Sequence, residues 1–113
     1  MREEPAIVAH TYDLLKYLIP QLTRFPRSQK FVLADRIQTT LTEVLEHLLV
    51  ACYSRDLAKK QALQNANLGL EKLRYLLRLA KDLHCIDLRR YELVQEKINQ
   101  IGIQAGAWLK SLT

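Results

Sequence analysis

The amino-acid sequence predicts an all-α fold, an antiparallel up-down four-helix bundle. Apolar residues recur at steps of three and four through four successive segments, which is the period of an amphipathic helix. Only three glycines and three prolines occur in 113 residues, and 49% of the chain is hydrophobic. A chain of this length can bury one continuous core without a metal or a disulfide. We therefore expect a single domain over residues 1–113.

The first two segments carry apolar stripes of helical period, and prolines mark the boundary between them. The stripes are Ile7, Thr11, Leu14, Leu18, Leu22 and Phe25, followed by Leu33, Ile37, Leu41, Val44, Leu48 and Ala51. Pro20 is expected to bend or shorten the first helix and Pro26 to end its segment, because proline lacks an N–H group and clashes with the preceding turn. Ser28 or a neighbour is expected to cap the second helix.

The third segment is the longest and runs from about Leu57 to about His84, after the candidate N-caps Ser54 and Asp56. Its core stripe is Leu63, Ala66, Leu70, Leu73, Leu77 and Ala80. A second apolar surface is formed by Leu68, Tyr75, Leu76, Leu79 and Leu83. One bundle core does not need this second surface, so it predicts a contact between subunits.

The fourth helix is expected to begin at Asp87 as its N-cap, with Ile86 and Tyr91 forming a hydrophobic staple. Its stripe is Tyr91, Val94, Ile98, Ile101, Ala105, Trp108 and Leu112. Gly102 and Gly106 lie inside this helix, where each glycine costs up to about 1 kcal/mol relative to alanine. A close contact is expected to compensate, either between subunits or within the bundle, and the sequence leaves both interpretations open.

Motifs for catalysis or metal binding are missing from the sequence. His10, His47 and His84 fall in three different segments without ligand spacing, and no Glu-x-x-His pair, glycine-rich phosphate loop or nucleophile elbow occurs. Cys52 and Cys85 lack C-x-x-C spacing and are interpreted as free thiols. We expect no enzymatic activity, no cofactor and no metal.

The start of the chain and its hydropathy favour a cytoplasmic protein. Two acids stand among the first four residues, where a secretory signal would carry bases, and the apolar runs are too short to span a bilayer. No membrane partner is expected.

Positive charge is concentrated in the third segment. The chain has a net charge of +5, and residues 54–84 hold seven bases against three acids. Arg74 and Arg78 are one turn apart and share a helix face with Lys60, while Lys59 lies close to the same side. Such a row of bases can follow a phosphate backbone. The alternative is a solvated face on which Glu71 pairs with Arg74.

Three stretches together resemble a known family. They are Tyr17-Leu18-Ile19-Pro20 followed by Phe25-Pro26-Arg27, the stretch from Gly69 to Ala80 with Leu73-Arg74 and Leu77-Arg78, and Gly102 to Gly106 followed by Trp108. Over about residues 12 to 112 the chain resembles the accessory variability protein, Avd, of diversity-generating retroelements. That family is itself similar to small bundle proteins encoded in ribosomal-RNA intervening sequences.

The resemblance implies a homo-oligomer, a pentameric barrel, that binds the element's reverse transcriptase and its template RNA and supports mutagenic copying into a target gene. It implies that Arg74 and Arg78, and also Arg27 in the loop before helix two, contact nucleic acid or the transcriptase. We expect Lys59 and Lys60 to extend this positive surface, and DNA to bind as well as RNA. The expected oligomer interface comprises Leu68, Leu76, Leu79, Gly102 and Gly106. The alternative is a scaffold protein of the intervening-sequence type without a transcriptase partner.

Overall fold

The computed structural model describes residues 5–112 and contains four long helices. They are α1 (Ala6–Leu22), α2 (Asp35–Tyr53), α3 (Asp56–Asp82) and α4 (Leu88–Lys110). Each helix packs on the one before and the one after it in the chain, and α1 also packs on α4. The bundle measures 43 × 25 × 21 Å along its principal axes. The predicted up-down four-helix fold is confirmed.

The core consists of the predicted inward stripes. Every stripe residue predicted for the first three helices is buried. Thr11 is the polar member, and its hydroxyl donates a 2.7 Å hydrogen bond to the carbonyl of Ile7, so its polar atom is satisfied inside the core. In α4, Tyr91 and Trp108 are only partly buried against the core. Leu112 is 40% exposed because it lies beyond the end of the helix, so its place in the stripe was predicted wrongly.

The connection between α1 and α2 differs from the prediction. Pro20 lies within the last turn of α1, which continues to Leu22. A short turn (Arg27–Gln29) and a π-helical turn (Lys30–Ala34) then lead into α2. Ser28 does not cap the helix, because it lies inside the short turn, whose start is at Pro26 and has no side-chain cap.

The π-helical turn changes which residues face outward at the start of α2. Its wider turn places Phe31 and Val32 in solvent, at 69% and 70% exposure, while Leu33 and Ala34 stay buried. The stripe of α2 was predicted correctly because Leu33 stays buried within the π-helical turn and the other stripe residues follow it.

The connection between α2 and α3 is two residues long, and α3 begins without the predicted cap. Neither Ser54 nor Asp56 supplies a side-chain cap: the N-cap position is Arg55, and Asp56 is the first helical residue. Asp56 has a φ of 54°, in the left-handed region that aspartate tolerates better than most residues. That backbone conformation allows a sharp reversal between the two helices.

The connection between α3 and α4 is fixed at both ends. Helix α3 ends at Asp82, two residues before the predicted end, and His84 follows with a φ of 59°. The N–H of Cys85 donates to the carbonyl of Ala80 at 2.8 Å, the long bond of a Schellman motif. Asp87 then caps α4, accepting a 2.8 Å hydrogen bond from the N–H of Arg90, as predicted.

None of the helices in residues 5–112 is both long and apolar enough to cross a membrane.

Candidate nucleic-acid interface

Arg74 bridges α3 and α4. Its Nε donates to Oδ1 of Asn99 on α4 at 3.2 Å, and its guanidinium forms an ion pair with Glu71 one turn earlier on α3. The carbonyl of Arg74 accepts a 3.2 Å hydrogen bond from the side-chain amide of Gln95. The side chain of Arg74 is 28% exposed, so one edge of the guanidinium faces solvent while the rest is held between the helices.

Gly102 provides the space for this arrangement. A Cβ atom at position 102 would lie 2.9 Å from Nη2 of Arg74, closer than real Cβ contacts allow. The compensating contact for this glycine is therefore found within the protomer. Gly106 is different, since a Cβ atom there would meet nothing within 4 Å.

Arg78 is the more accessible of the two arginines. It is exposed, and it has no ion pair among residues 5–112. With Arg74 it lines a shallow groove of about 270 Å³ between α3 and α4, whose other lining residues are Glu71, Tyr75, Tyr91 and Gln95. The groove thus combines two guanidinium groups, a carboxylate already paired to one of them, and two tyrosines. Such a surface suits phosphate groups more than an apolar ligand.

The predicted basic residues do not form one patch. Lys59 and Lys60 lie near the start of α3, about 21 Å from Arg74 at a rise of 1.5 Å per residue. Lys59 Nζ lies 5.3 Å from the centre of the Trp108 ring, while Lys60 is exposed. Both residues line an open notch together with Arg55 and Leu57. Arg27 is exposed on the connection before α2, at the opposite end of the bundle.

One end of the bundle, where α1 and α3 end and α2 and α4 begin, is basic, and the sequence pattern did not indicate this. We call it the basic end. Seven bases lie there against three acids: Arg24, Arg27, Lys30, Arg36, Lys81, Arg89 and Arg90 against Asp35, Asp82 and Asp87. These bases are spread over all four predicted segments, so a segment-by-segment charge count does not reveal them. Grouping the connections by the end of the bundle they occupy would have done so.

The residues expected at a subunit interface divide into two groups. Leu68 and Leu79 are 55% and 46% exposed and form an outward stripe with Tyr75, which is 67% exposed. Leu76 is partly buried against the protomer's own core, so it does not belong to this stripe. The reason is its position two turns after Gly69, on the flank of α3 that packs on Val44 of α2.

The described histidines and cysteines do not form a metal site. Residues 5–112 contain no cluster of three His, Cys, Asp or Glu side chains that could hold a metal ion. His10 Nδ1 lies 2.8 Å from the side-chain nitrogen of Gln104, which joins α1 to α4. Cys52 and Cys85 are not joined by a disulfide, and burial raises the pKa of Cys85.

The family model described as bAvd-like matches residues 6–112. The chain belongs to the bAvd-like family. The predicted resemblance to Avd is thereby confirmed, and as a bAvd-like protein the chain is an accessory protein of the Avd type. The match covers the groove between α3 and α4 as well as all four helices.

A solved structure shares the fold of this bAvd-like protein. It is a protein of unknown function from the S23 ribosomal protein family of Bacteroides thetaiotaomicron VPI-5482, with a TM-score of 0.84 and 16% sequence identity. The alignment covers 92% of this chain and 95% of the other. No functionally curated protein matches the chain.

Proposed function

We propose that this chain is a non-catalytic accessory protein of a diversity-generating retroelement, and that it binds the element's reverse transcriptase and template RNA to support mutagenic reverse transcription. Its membership of the bAvd-like family over residues 6–112 supports the role. The observation that carries the binding proposal is the groove in which Arg74 and Arg78 lie side by side with two tyrosines.

The groove has the chemistry of a phosphate-binding surface. Arg78 is exposed and has no ion pair among residues 5–112, and a guanidinium fork matches the geometry of two phosphate oxygens. Arg74 is already held by Glu71 and Asn99, so it contributes a fixed positive charge rather than a mobile one. Contacts of this kind read charge and backbone shape and not base sequence, so we propose that RNA and DNA both bind.

Assembly of several copies would repeat this groove. The outward stripe of Leu68, Tyr75 and Leu79 gives α3 an apolar surface for a neighbouring subunit, and Gly106 leaves open space on α4. The outer face of α2 is lined by Asp35, Glu43 and Glu46 with polar neighbours, and is acidic where α3 is basic. A head-to-tail contact between such unlike faces closes into a ring when the rotation that relates successive subunits closes. We propose a homo-oligomer, a pentamer by resemblance to the family.

Oligomerisation also compensates for a modest net charge. Linking several weak sites raises the affinity for a long polymer, because each later contact is intramolecular. We propose that the protein acts in the cytoplasm.

The test is binding of the purified protein to the element's reverse transcriptase and to fluorescein-labelled template RNA. We expect both to bind the wild type, and Arg78→Gln to weaken at least one of them. Lys72→Gln is the matched control, because it removes one charge from the same helix outside the groove. Wild-type protein that binds neither partner would overturn the proposal, and equal losses in the two variants would remove Arg78 from the interface.

The runner-up function is a scaffold of the intervening-sequence type. A protein of the S23 ribosomal protein family shares this fold, and the fold alone does not separate the two roles. The gene's neighbourhood separates them. A reverse-transcriptase gene and a pair of near-identical repeats alongside favour the retroelement, and a position inside a ribosomal-RNA gene favours the scaffold.

A further inference from the structure

A cavity lies at the basic end of the bundle and outside the groove. It has a volume of about 640 Å³ and is formed by the C-terminal end of α1, the connection from α3 to α4, and the first turn of α4. Its charged lining residues are Arg24, Lys81 and Arg90 together with Asp82 and Asp87. We call it the end cavity. The family resemblance and the predicted basic face do not account for it.

Both acids of the end cavity already have partners. Asp82 lies 3.4 Å from Lys81 Nζ. Asp87 caps α4 and forms an ion pair with Arg90, and the hydrogen bond from the backbone of Arg90 lowers the pKa of this carboxyl group below its ordinary value. The negative charge of Asp87 is therefore already paired at the N-terminal end of α4.

Arg24 is left without a counterion. It is exposed on the cavity wall, and no carboxylate within residues 5–112 lies within ion-pair distance of it. The cavity thus carries one uncompensated guanidinium in a concave site that also offers N–H donors from Lys81 and Arg90. An anion that enters the cavity would balance the positive charge of Arg24.

The end cavity adjoins the groove between α3 and α4. Lys81 lines the cavity, and its Nζ lies 4.9 Å from the ring centre of Tyr91, which lines the groove. Arg74, Arg78 and Lys81 follow one another at steps of four and three residues, so they form a row along one side of α3. This row ends at the cavity, where Arg24 extends it onto the turn after α1 and Arg90 extends it onto α4.

We propose that the end cavity is a phosphate subsite for single-stranded RNA, and that the strand runs from the groove over Lys81 to Arg24. This proposal rests on the proposed function, because it extends the same RNA-binding surface to a second site. Single-stranded RNA is favoured over a duplex because the track bends from a helix side onto the bundle end, and a flexible strand follows such a bend without a deformation cost.

The experiment compares two double variants with the full-length wild type, using a labelled single-stranded RNA of about 12 nucleotides over a salt series. Arg24→Gln with Lys81→Gln removes two positive charges from the cavity and leaves the Asp87 cap intact. Lys16→Gln with Lys72→Gln is the matched control, since both lysines are exposed and lie outside the cavity and the groove. Circular dichroism melts establish that each variant is folded.

We expect the cavity variant to bind roughly tenfold more weakly at about 50 mM salt, and its log–log salt slope to fall by about 1.4, or 0.7 for each phosphate that is no longer neutralised. The control variant is expected to change the slope by much less. Equal effects of the two variants on an RNA that the wild type binds would overturn the subsite and leave the proposed function standing. A wild type that does not bind RNA would overturn both.

Discussion

Three glycines lie inside helices of this bundle, and each meets a different environment. A Cβ atom at Gly69 would lie 2.6 Å from Cγ2 of Val44, which is a buried and conformationally stiff side chain. The Cβ atom at Gly102 would meet the guanidinium of Arg74 instead, and the one at Gly106 would meet open space. Helix propensity alone favours alanine at all three positions. The surroundings therefore determine whether each glycine-to-alanine substitution stabilises or destabilises the protein.

Alanine substitution is therefore expected to have opposite effects at two of these positions. Gly69→Ala should destabilise the protein by about 1–3 kcal/mol, because α2 and α3 must move apart. Gly106→Ala should stabilise the isolated protomer by up to about 1 kcal/mol. Denaturant unfolding measures both. A stable Gly69→Ala variant would contradict the close approach of α2 to α3.

Gly102 and Arg74 are expected to be energetically coupled. Gly102→Ala alone gains helix propensity but displaces the guanidinium from Asn99 and Glu71. In an Arg74→Ala background the same substitution costs nothing and keeps the propensity gain. A double-mutant cycle should give a coupling of about 0.5–1 kcal/mol, within the usual range for residues that touch each other. Additive effects of the two substitutions would show that Arg74 does not occupy the space at Gly102.

The sequence does not reveal this role of Arg74. The pair with Glu71 is local and was one of the two alternatives for this helix face, but Asn99 is 25 residues away in the chain. Its proximity depends on how α3 and α4 are aligned, which a hydrophobic pattern leaves undetermined. The cap at Asp87 was predictable for the opposite reason, since every group that forms it lies within one turn.

At the scale of the elements, the N-terminus of α4 depends on the Asp87 carboxylate. The backbone hydrogen bond from Arg90, and then the nearby charge of Arg90, lower the pKa of Asp87 from its ordinary value of 3.8. A carboxyl group whose pKa is lower in the folded protein than in the unfolded chain stabilises the folded protein. This contribution is complete at pH values above the unfolded pKa. That contribution disappears as the pH falls through the folded pKa.

Asp87→Ala is therefore expected to lower the melting temperature at neutral pH, because the first turn of α4 loses its cap. The difference from the wild type should shrink as the pH falls below about 3.8. Thermal melts across the acid range measure it, with Asp13→Ala as a control on an exposed face of α1. A difference that stays constant with pH would show that the charged form of Asp87 does not stabilise the helix.

The long helices were more predictable than their connections. The inward stripes repeat over several turns, so small errors at helix ends do not shift them. The connections contain local irregularities that no sequence periodicity indicates. They are the π-helical turn at Lys30–Ala34 and the left-handed backbones of Asp56 and His84. Serine and aspartate near a helix start favour a cap but do not guarantee one. Ser28 lies inside the short turn and Ser54 lies before the N-cap position, so neither residue caps a helix.

At the scale of the whole molecule, the outward stripe on α3 leads to a prediction about assembly. We expect light scattering at micromolar concentration to give a mass several times that of one chain. Leu68→Glu with Leu79→Glu should give monomers with an unchanged helical circular-dichroism signal, because both side chains are about half exposed in the protomer. Val32→Glu, at the end of the bundle, is the control. A monomeric wild type would contradict the proposed ring.

The distribution of charge was only partly predictable. The seven bases of residues 54–84 were visible in the sequence, but they are spread from the N-cap of α3 to its last turn. The basic end arises because the fold brings together connections that are far apart in the chain. Its cavity adjoins the groove, because Lys81 at the cavity lies over the ring of Tyr91 at the groove.

The most direct test of the proposed role is cDNA synthesis reconstituted from the element's reverse transcriptase and template RNA, with and without this protein. We expect cDNA to accumulate only when the protein is added, and Arg78→Gln to reduce its yield relative to Lys72→Gln. The reason is that the groove would hold the template against the transcriptase. Equal yields of cDNA in the presence and absence of the protein would contradict the proposed function.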